Sequence, residues 1–280
     1  MSATLAAQGP SLGADDMAFF AAALRGRTGI VLAPGKAALV LRRLAPRLCE
    51  TGCGSFAEYR ALLDDPEAPE WTRVVELLTT NHSRFFREIH HFKLLSRHLD
   101  ALLAAGQKRL RLWSAACASG QEPYSMALVL HDRLAARGPA AQGDIDARIL
   151  ATDIDRTVLA AAQAGIFSPD DVGHLPAFAR AHMAKAADGT FAVAAAMKDY
   201  VRFKPHNLVG GDWPMKGPFD AIFCRNMLIY LDPADQTKVV AKLANLVAPG
   251  GLLCLGHSEI VRDKTLPLER LGVPSSYARL

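Results

Sequence analysis

The side chains best suited to chemistry fall in a few short stretches. Residues 114–123 read Ser-Ala-Ala-Cys-Ala-Ser-Gly-Gln-Glu-Pro, small residues closed by Glu122 and Pro123. Further on come Asp153-Ile154-Asp155, Pro205-His206-Asn207-Leu208 and Arg225-Asn226. Small residues let a ligand approach the backbone closely, and a helix opening at Pro123 would offer it unpaired N–H groups. An acid such as Asp153, at the end of a strand, suits the two hydroxyls of a ribose. The combination points to a nucleoside cofactor. A dinucleotide would require Gly-x-Gly-x-x-Gly to bring bare backbone against its pyrophosphate. Here only Gly120 is present, and the loop carries Glu122 instead. A carboxylate there repels a pyrophosphate but pairs with an ammonium group. The methionine moiety of S-adenosylmethionine has one, so the charge favours that cofactor over NAD. Singly, Glu122 also reads as an acid stabilised by a helix dipole, and Asp153 as a turn residue.

These residues need a scaffold, and the chain divides into two kinds of pattern. Over residues 15–77 the pattern is helical: Asp15 or Asp16 as a cap, a turn at Thr28-Gly29, a helix from Pro34, a Ser55-capped helix to Leu63, and an amphipathic run over residues 71–78. Beyond it, short apolar runs at 110–114, 148–152, 200–203, 221–224, 251–256 and 277–280 alternate with helical stretches at 123–137, 156–164 and 233–247. Strands separated by helices imply parallel pairing in a doubly wound sheet. Gly250-Gly251 is read as ending the last long helix and starting a strand. Residues 167–200 are too long for a simple crossover and predict a small antiparallel β insert around an Asp188-Gly189 turn. The expected class is α/β: a small all-α domain (15–77), a linker (78–93), and a doubly wound, Rossmann-like domain (94–280) that contains the insert.

With those residues in view the chain resembles the chemotaxis receptor glutamate methyltransferases of the CheR type. The resemblance is carried by residues 78–88 (LTTNHSRFFRE), 114–125 (SAACASGQEPYS), 151–155 (ATDID), 219–230 (FDAIFCRNMLIY) and 256–259 (GHSE), and runs from about residue 18 to the end. It implies transfer of a methyl group from S-adenosylmethionine to glutamate carboxylates of chemoreceptors, leaving S-adenosylhomocysteine. It places Asn81, Ser83 and Arg87 over the cofactor, Glu122 on its amino group and Asp153 on its ribose. Asn207 and Leu208 border the adenine, Arg225 and Asn226 lie along the methionine part, and Tyr230 sits near the transferred methyl. Arg87 and Tyr230 are the expected catalytic residues, the first orienting the carboxylate and the second shaping the methyl's path. The family usually has Thr where Ser83 stands, Glu at Gln121 and Ser or Thr at Ala118. The insert matches one that grips a receptor tail peptide in some members, without their glycine-rich loop.

Six basic residues lie from Arg25 to Arg47 with no acid between them. At about 100° per residue, Lys36, Arg43 and Arg47 share a narrow arc of a helix, while Val40, Leu41, Leu44 and Leu48 face inward. That stripe is a candidate docking face for an acidic receptor helix, interrupted by the kink expected at Pro46. No Ser-His-Asp or Cys-His pattern suggests a nucleophile. His90, His91 and His98 make a poor metal set, and no metal is expected. Five cysteines, an odd number, argue against a disulfide framework. No apolar run approaches the roughly 20 residues that span a bilayer, and residues 1–17 lack the features of a signal peptide. A cytoplasmic monomer is expected, meeting the membrane only through its receptor. The net charge of +4 is too mild to demand nucleic acid. The competing readings are a catalytically silent cofactor-sensing or receptor-docking module of the same fold, and an NAD-dependent oxidoreductase.

Overall fold

The computed structural model describes residues 10–138 and 144–280. They form two compact units, one up to Thr80 and one from Asn81 onward.

The first unit is helical. Its elements are α1 (Ala14–Thr28), a 3-10 turn (Pro34–Lys36), α2 (Ala37–Thr51), α3 (Phe56–Ala61) and α4 (Glu70–Leu78). The cap of α1 differs from expectation. Gly13 is the N-cap, and Asp16 reaches back from the first turn to accept its N–H at 3.0 Å. Ser55 caps α3 as predicted, accepting the Glu58 N–H. Helix α2 runs on through Pro46 to Thr51 without a break. Val40, Leu44 and Leu48 are buried there, alongside Phe20, Leu24, Phe56 and Tyr59. Burying such side chains contributes roughly 1.5–3 kcal/mol each, which is what holds helices this short together.

The basic stripe does not stand free of this packing. Arg43 donates to the carbonyls of Leu77 and Thr79. Arg47 grips Glu70 through two nitrogens at 2.7 Å and Glu50 through a third, and Tyr59 adds its hydroxyl to Glu70 at 2.6 Å. Two of the three residues read as a docking face are therefore committed inside the helical unit. Lys36 is exposed.

The second unit opens with α5 (Ile89–Ala104), followed by β1 (Arg109–Ala115), α6 (Gln121–Ala135), β2 (Asp146–Asp153) and α7 (Arg156–Ala164). An insert then comprises β3 (Ile166–Phe167), α8 (Pro169–Gly173), α9 (Ala177–Arg180), β4 (Met183–Lys185), β5 (Phe191–Val193) and α10 (Ala195–Lys198). The main sheet resumes with β6 (Val201–Pro205), β7 (Phe219–Cys224), a 3-10 turn (Leu228–Tyr230), α11 (Pro233–Leu246), β8 (Val247–Leu255), β9 (Leu268–Arg270) and β10 (Ser276–Arg279). Its strand order is β6-β2-β1-β7-β8-β10-β9. The first five strands are parallel, and β10 runs antiparallel to both β8 and β9. The insert carries its own antiparallel sheet, β3-β5-β4, closed by the expected turn, where Asp188 accepts the Thr190 N–H and hydroxyl.

Several expectations need correction. Helix α6 begins at Gln121, so Glu122 stands in its first turn rather than in the loop. Pro123 is tolerated there because the first four N–H groups of a helix have no intrahelical partner. Strand β8 begins at Val247 and runs through Gly250-Gly251. The β7–β8 register shifts at this place, and a Cβ on Gly251 would lie 2.9 Å from the carbonyl oxygens of Ala248 and Asp220. Gly251 therefore serves close backbone approach and Gly250 a left-handed φ of 74° inside a strand irregularity, not helix termination. The edge strand β9 escaped prediction because three residues show no period.

Candidate functional site

Strand β1 lies between β2 and β7, where the chain's winding reverses. Ligands bind beyond the carboxyl ends of strands at such a switch point. The loop leaving β1 is strained toward that space: Ala116, Ala118 and Gly120 have φ of 66°, 46° and 98°. At Gly120 a Cβ would meet that of Ala162 at 2.9 Å, so only glycine fits. The loop is pinned to β2, with the Cys117 N–H on the Thr152 carbonyl and the Ala118 N–H on Asp153 Oδ2 at 2.8 Å.

Asp153 is buried, and its Oδ1 accepts the Asp155 N–H at 3.0 Å. Burial pushes its carboxyl up, against the backbone N–H bonds that pull it down. Each oxygen keeps a lone pair, so hydroxyl donors can still be received. Asp155 caps α7 through the Val158 N–H and accepts Asn81 Nδ2 at 2.6 Å. That bond brings Asn81 to the end of β2. The His206 N–H donates to the Asp153 carbonyl, so β6 delivers Asn207 and Leu208 to the same edge. Leu208 is buried, and Asn207 folds its turn by accepting the Val209 N–H.

On the other side of β1, Glu122 and Arg225 form a buried pair. Arg225 Nη1 lies 3.1 Å from Glu122 Oε2, and Ser114 Oγ donates to Oε1 at 2.6 Å. Burial pushes the Glu122 carboxyl up, while Arg225 and Ser114 pull it down. A second cation would relieve that burial penalty, as the ammonium of a methionine group would. The Arg225 guanidinium also donates to the Arg87 carbonyl, lies 3.3 Å from Glu88 Oε2, and packs near the rings of Phe92 and Phe223. Arg87 donates from Nη1 to the His82 carbonyl at 3.1 Å. The cradle at Gly120, the remaining acceptors of Asp153 and the buried Glu122 together fit S-adenosylmethionine.

Two further residues stand outside the expected site set. Glu259 is buried and accepts the N–H groups of Asn226, Gly256 and Ile229 at 3.0, 2.6 and 3.2 Å. It fixes the turn after β7 that carries Asn226 and, in the following 3-10 turn, Tyr230. Asn226 holds a left-handed φ of 58° there. The other is Glu88, whose Oε1 accepts from Asn226 Nδ2, the His257 N–H and His257 Nδ1. The GHSE block was the available signal for Glu259. Ser83 is half-buried in the segment before α5, and no hydrogen bond ties its side chain or that of Tyr230 to the other site residues described.

The three histidines weighed as a metal set do not converge. His98 bonds to the Asp220 carbonyl. Instead Glu88, His90 and His91 bring ligand atoms within 4.8 Å of one another. The Arg225 guanidinium already holds the Glu88 oxygen that faces His91, so a cation there would compete with a fixed positive charge.

Residues 15–79 match the family described as the all-alpha domain of CheR methyltransferase, and residues 81–276 its SAM binding domain. The chain belongs to the CheR methyltransferase family. Among its relatives, the chemotaxis protein methyltransferase of Klebsiella aerogenes is 40% identical over 83% of this chain and 79% of its own length. That of Escherichia coli is 39% identical over 83% and 80%. Chemotaxis protein methyltransferase 2 of Pseudomonas aeruginosa is 40% identical over 83% and 81%. Membership agrees with the architecture, a helical unit followed by a mostly parallel sheet with a small antiparallel one. No described helix is long and apolar enough to cross a membrane.

Proposed function

We propose that this chain transfers the methyl group of S-adenosylmethionine to glutamate carboxylates of chemoreceptor cytoplasmic helices, giving glutamyl methyl esters and S-adenosylhomocysteine. The observation that carries the reading is the buried Glu122, flanked by Ser114 and Arg225 at the switch point. An acid there serves a cationic amino-acid head group and excludes a pyrophosphate, which disfavours NAD. The names of the relatives supply the chemotactic setting.

Bound S-adenosylmethionine supplies an electrophilic methyl on a sulfonium. A glutamate side chain, with an ordinary pKa near ~4.3, is already a nucleophile at neutral pH. The carboxylate oxygen gains the methyl and sulfur keeps the electron pair of the broken bond, so no general base is needed. That accords with the lack of a triad. The protein's task is alignment in a dry pocket, and alignment alone contributes roughly 7–11 kcal/mol in favourable cases. In this reading Glu122 takes the donor's ammonium and Asp153 its ribose hydroxyls. Asn207 and Leu208 border the adenine, and Asn81, Ser83, Arg225 and Asn226 complete the enclosure. Arg87 steers the incoming carboxylate; its guanidinium is held by the His82 carbonyl rather than by a competing acid. Tyr230 shapes the path of the methyl. The helical unit meets the receptor with Lys36 as the exposed member of the Lys36, Arg43 and Arg47 stripe, and the protein acts in the cytoplasm as a monomer, with no metal and no nucleic acid.

Calorimetric titration with S-adenosylmethionine tests the donor site. A micromolar Kd is expected, about −8 kcal/mol, weakened tenfold or more by Asp153→Ala. Equal affinities of the wild type and the variant would remove Asp153 from the site.

A further inference from the structure

Glu88 follows Arg87 directly, holds a left-handed φ of 56° and forms the N-cap position of α5. A residue other than glycine in that conformation is uncommon and calls for a local reason. The reason is the company its carboxylate keeps. Oε1 receives Asn226 Nδ2 at 3.3 Å, the His257 N–H at 3.3 Å and His257 Nδ1 at 3.1 Å. Oε2 faces Arg225 Nη2 at 3.3 Å and His91 Nδ1 at 3.4 Å. The partners come from the end of β7, the turn after β8 and the first turn of α5, so one side chain joins three elements around the candidate site. It is only 11% exposed.

The charges matter more than the bonds. Arg225 brings one positive charge to two carboxylates, Glu88 and Glu122. Paired with Glu122 alone, it would cancel the charge that an ammonium group must find. Shared with Glu88, it leaves this trio one negative charge in excess; the Arg87 charge also pulls Glu122 down, but more weakly than Arg225 does and less than Glu88 pushes it up. His91 adds no positive charge to that balance. Burial pushes its ring down to about 4, so it is neutral near pH 7, and Nε2, 2.9 Å from the Pro274 carbonyl, carries its one proton.

We propose that Glu88 is a positioning residue of the methyl-donor site: by dividing Arg225 between itself and Glu122, and by tying Asn226 to His257, it keeps the Glu122 carboxylate available to the donor's ammonium. The proposal rests on the donor reading given above. It assigns Glu88 no contact with the donor and no part in the bond exchange.

The test compares two ligands on the full chain. S-adenosylhomocysteine carries the amino-acid head group, whereas 5′-methylthioadenosine keeps the nucleoside and thioether without it. Glu88→Gln preserves size and removes the charge. It is expected to weaken S-adenosylhomocysteine at least tenfold while leaving 5′-methylthioadenosine within twofold of wild type. In turnover the KM for S-adenosylmethionine should rise by the larger factor and kcat fall by the smaller. Glu88→Asp should recover part of the affinity. Glu122→Gln should lose the head group selectively as well, and the double variant should bind S-adenosylhomocysteine no more weakly than Glu122→Gln. Two results overturn the proposal: unchanged S-adenosylhomocysteine affinity in Glu88→Gln, or equal losses for both ligands, which would make Glu88 a structural residue only. Wild-type protein that binds neither ligand would overturn the donor reading itself, and this proposal with it.

Discussion

Glu259 Oε2 lies 3.0 Å from the backbone nitrogen of Asn226, 33 residues earlier in the chain. The same carboxylate holds the Gly256 N–H, and its other oxygen holds that of Ile229. A buried acid thus takes the place of a β-ladder where β7 and β8 end, and sets the turn that leads to Tyr230. Gly256 leaves room for it, since a Cβ there would fall 2.5 Å from Asn226 Nδ2.

Replacing Glu259 with Gln turns one acceptor oxygen into a donor facing N–H groups. Hydrogen bonds to charged groups contribute roughly 1.5–3 kcal/mol, and leaving a buried donor unpaired costs about as much. Glu259→Gln should lower the urea-unfolding free energy of the second unit by about 2–3 kcal/mol. A change below about 0.5 kcal/mol, the level of a neutral surface substitution, would show that the turn holds itself.

Acid should destabilise the second unit in two stages. Burial pushes His91 down to about 4 from 6.5, with the charge of Arg225 adding to it and the Pro274 bond opposing. The unfolded chain therefore takes up a proton near pH 6.5 that the folded chain refuses until about 4. Stability is complete above that range and falls as pH drops through it, by about 3 kcal/mol from this one group. His98, also pushed down by burial, acts in the same direction. For Glu88, burial works upward, but the Arg225 charge and the His257 bonds prevail and hold it at about 2. Its contribution is present above about pH 4.5 and is lost toward pH 2. Urea unfolding between pH 7 and 4 checks the first stage: His91→Asn should flatten the slope. An unchanged slope would assign the acid sensitivity elsewhere.

Arg47 and Lys36 should part company. Arg47 holds Glu70, which also receives the Tyr59 hydroxyl. Arg47→Ala should therefore destabilise the helical unit, by about 1 kcal/mol for a partly exposed pair within a network. Lys36→Ala should leave stability within about 0.5 kcal/mol and weaken receptor-membrane binding in a sedimentation assay. If Lys36→Ala binds receptor membranes as tightly as wild type, this stripe is not the docking face.

What the sequence disclosed depended on the range of the interaction. Asp153 was legible because it directly follows a short apolar run, and Glu122 because it closes the small-residue stretch after another; strand ends are where ligands sit. The faces of α2 were legible from a 3.6-residue period, which put Val40, Leu44 and Leu48 inside. Nothing in that period shows that Glu70, 23 residues on, waits for Arg47. Glu88 stayed hidden for the same reason: Asn226 is 138 residues away in the chain. Gly250-Gly251 misled because a glycine pair after a helix resembles a stop signal, whereas the backbone crowding that demands Gly251 comes in part from Asp220 on a neighbouring strand.

The most direct test of the account is the chemical nature of the product. The protein is incubated with S-adenosylmethionine labelled in the methyl group and membranes containing chemoreceptors, and the labelled receptor is then treated with base. A carboxyl methyl ester releases its label as volatile methanol, and that release is the result expected here. Label that enters the receptor but stays bound through base, as an N-methyl group would, contradicts the account.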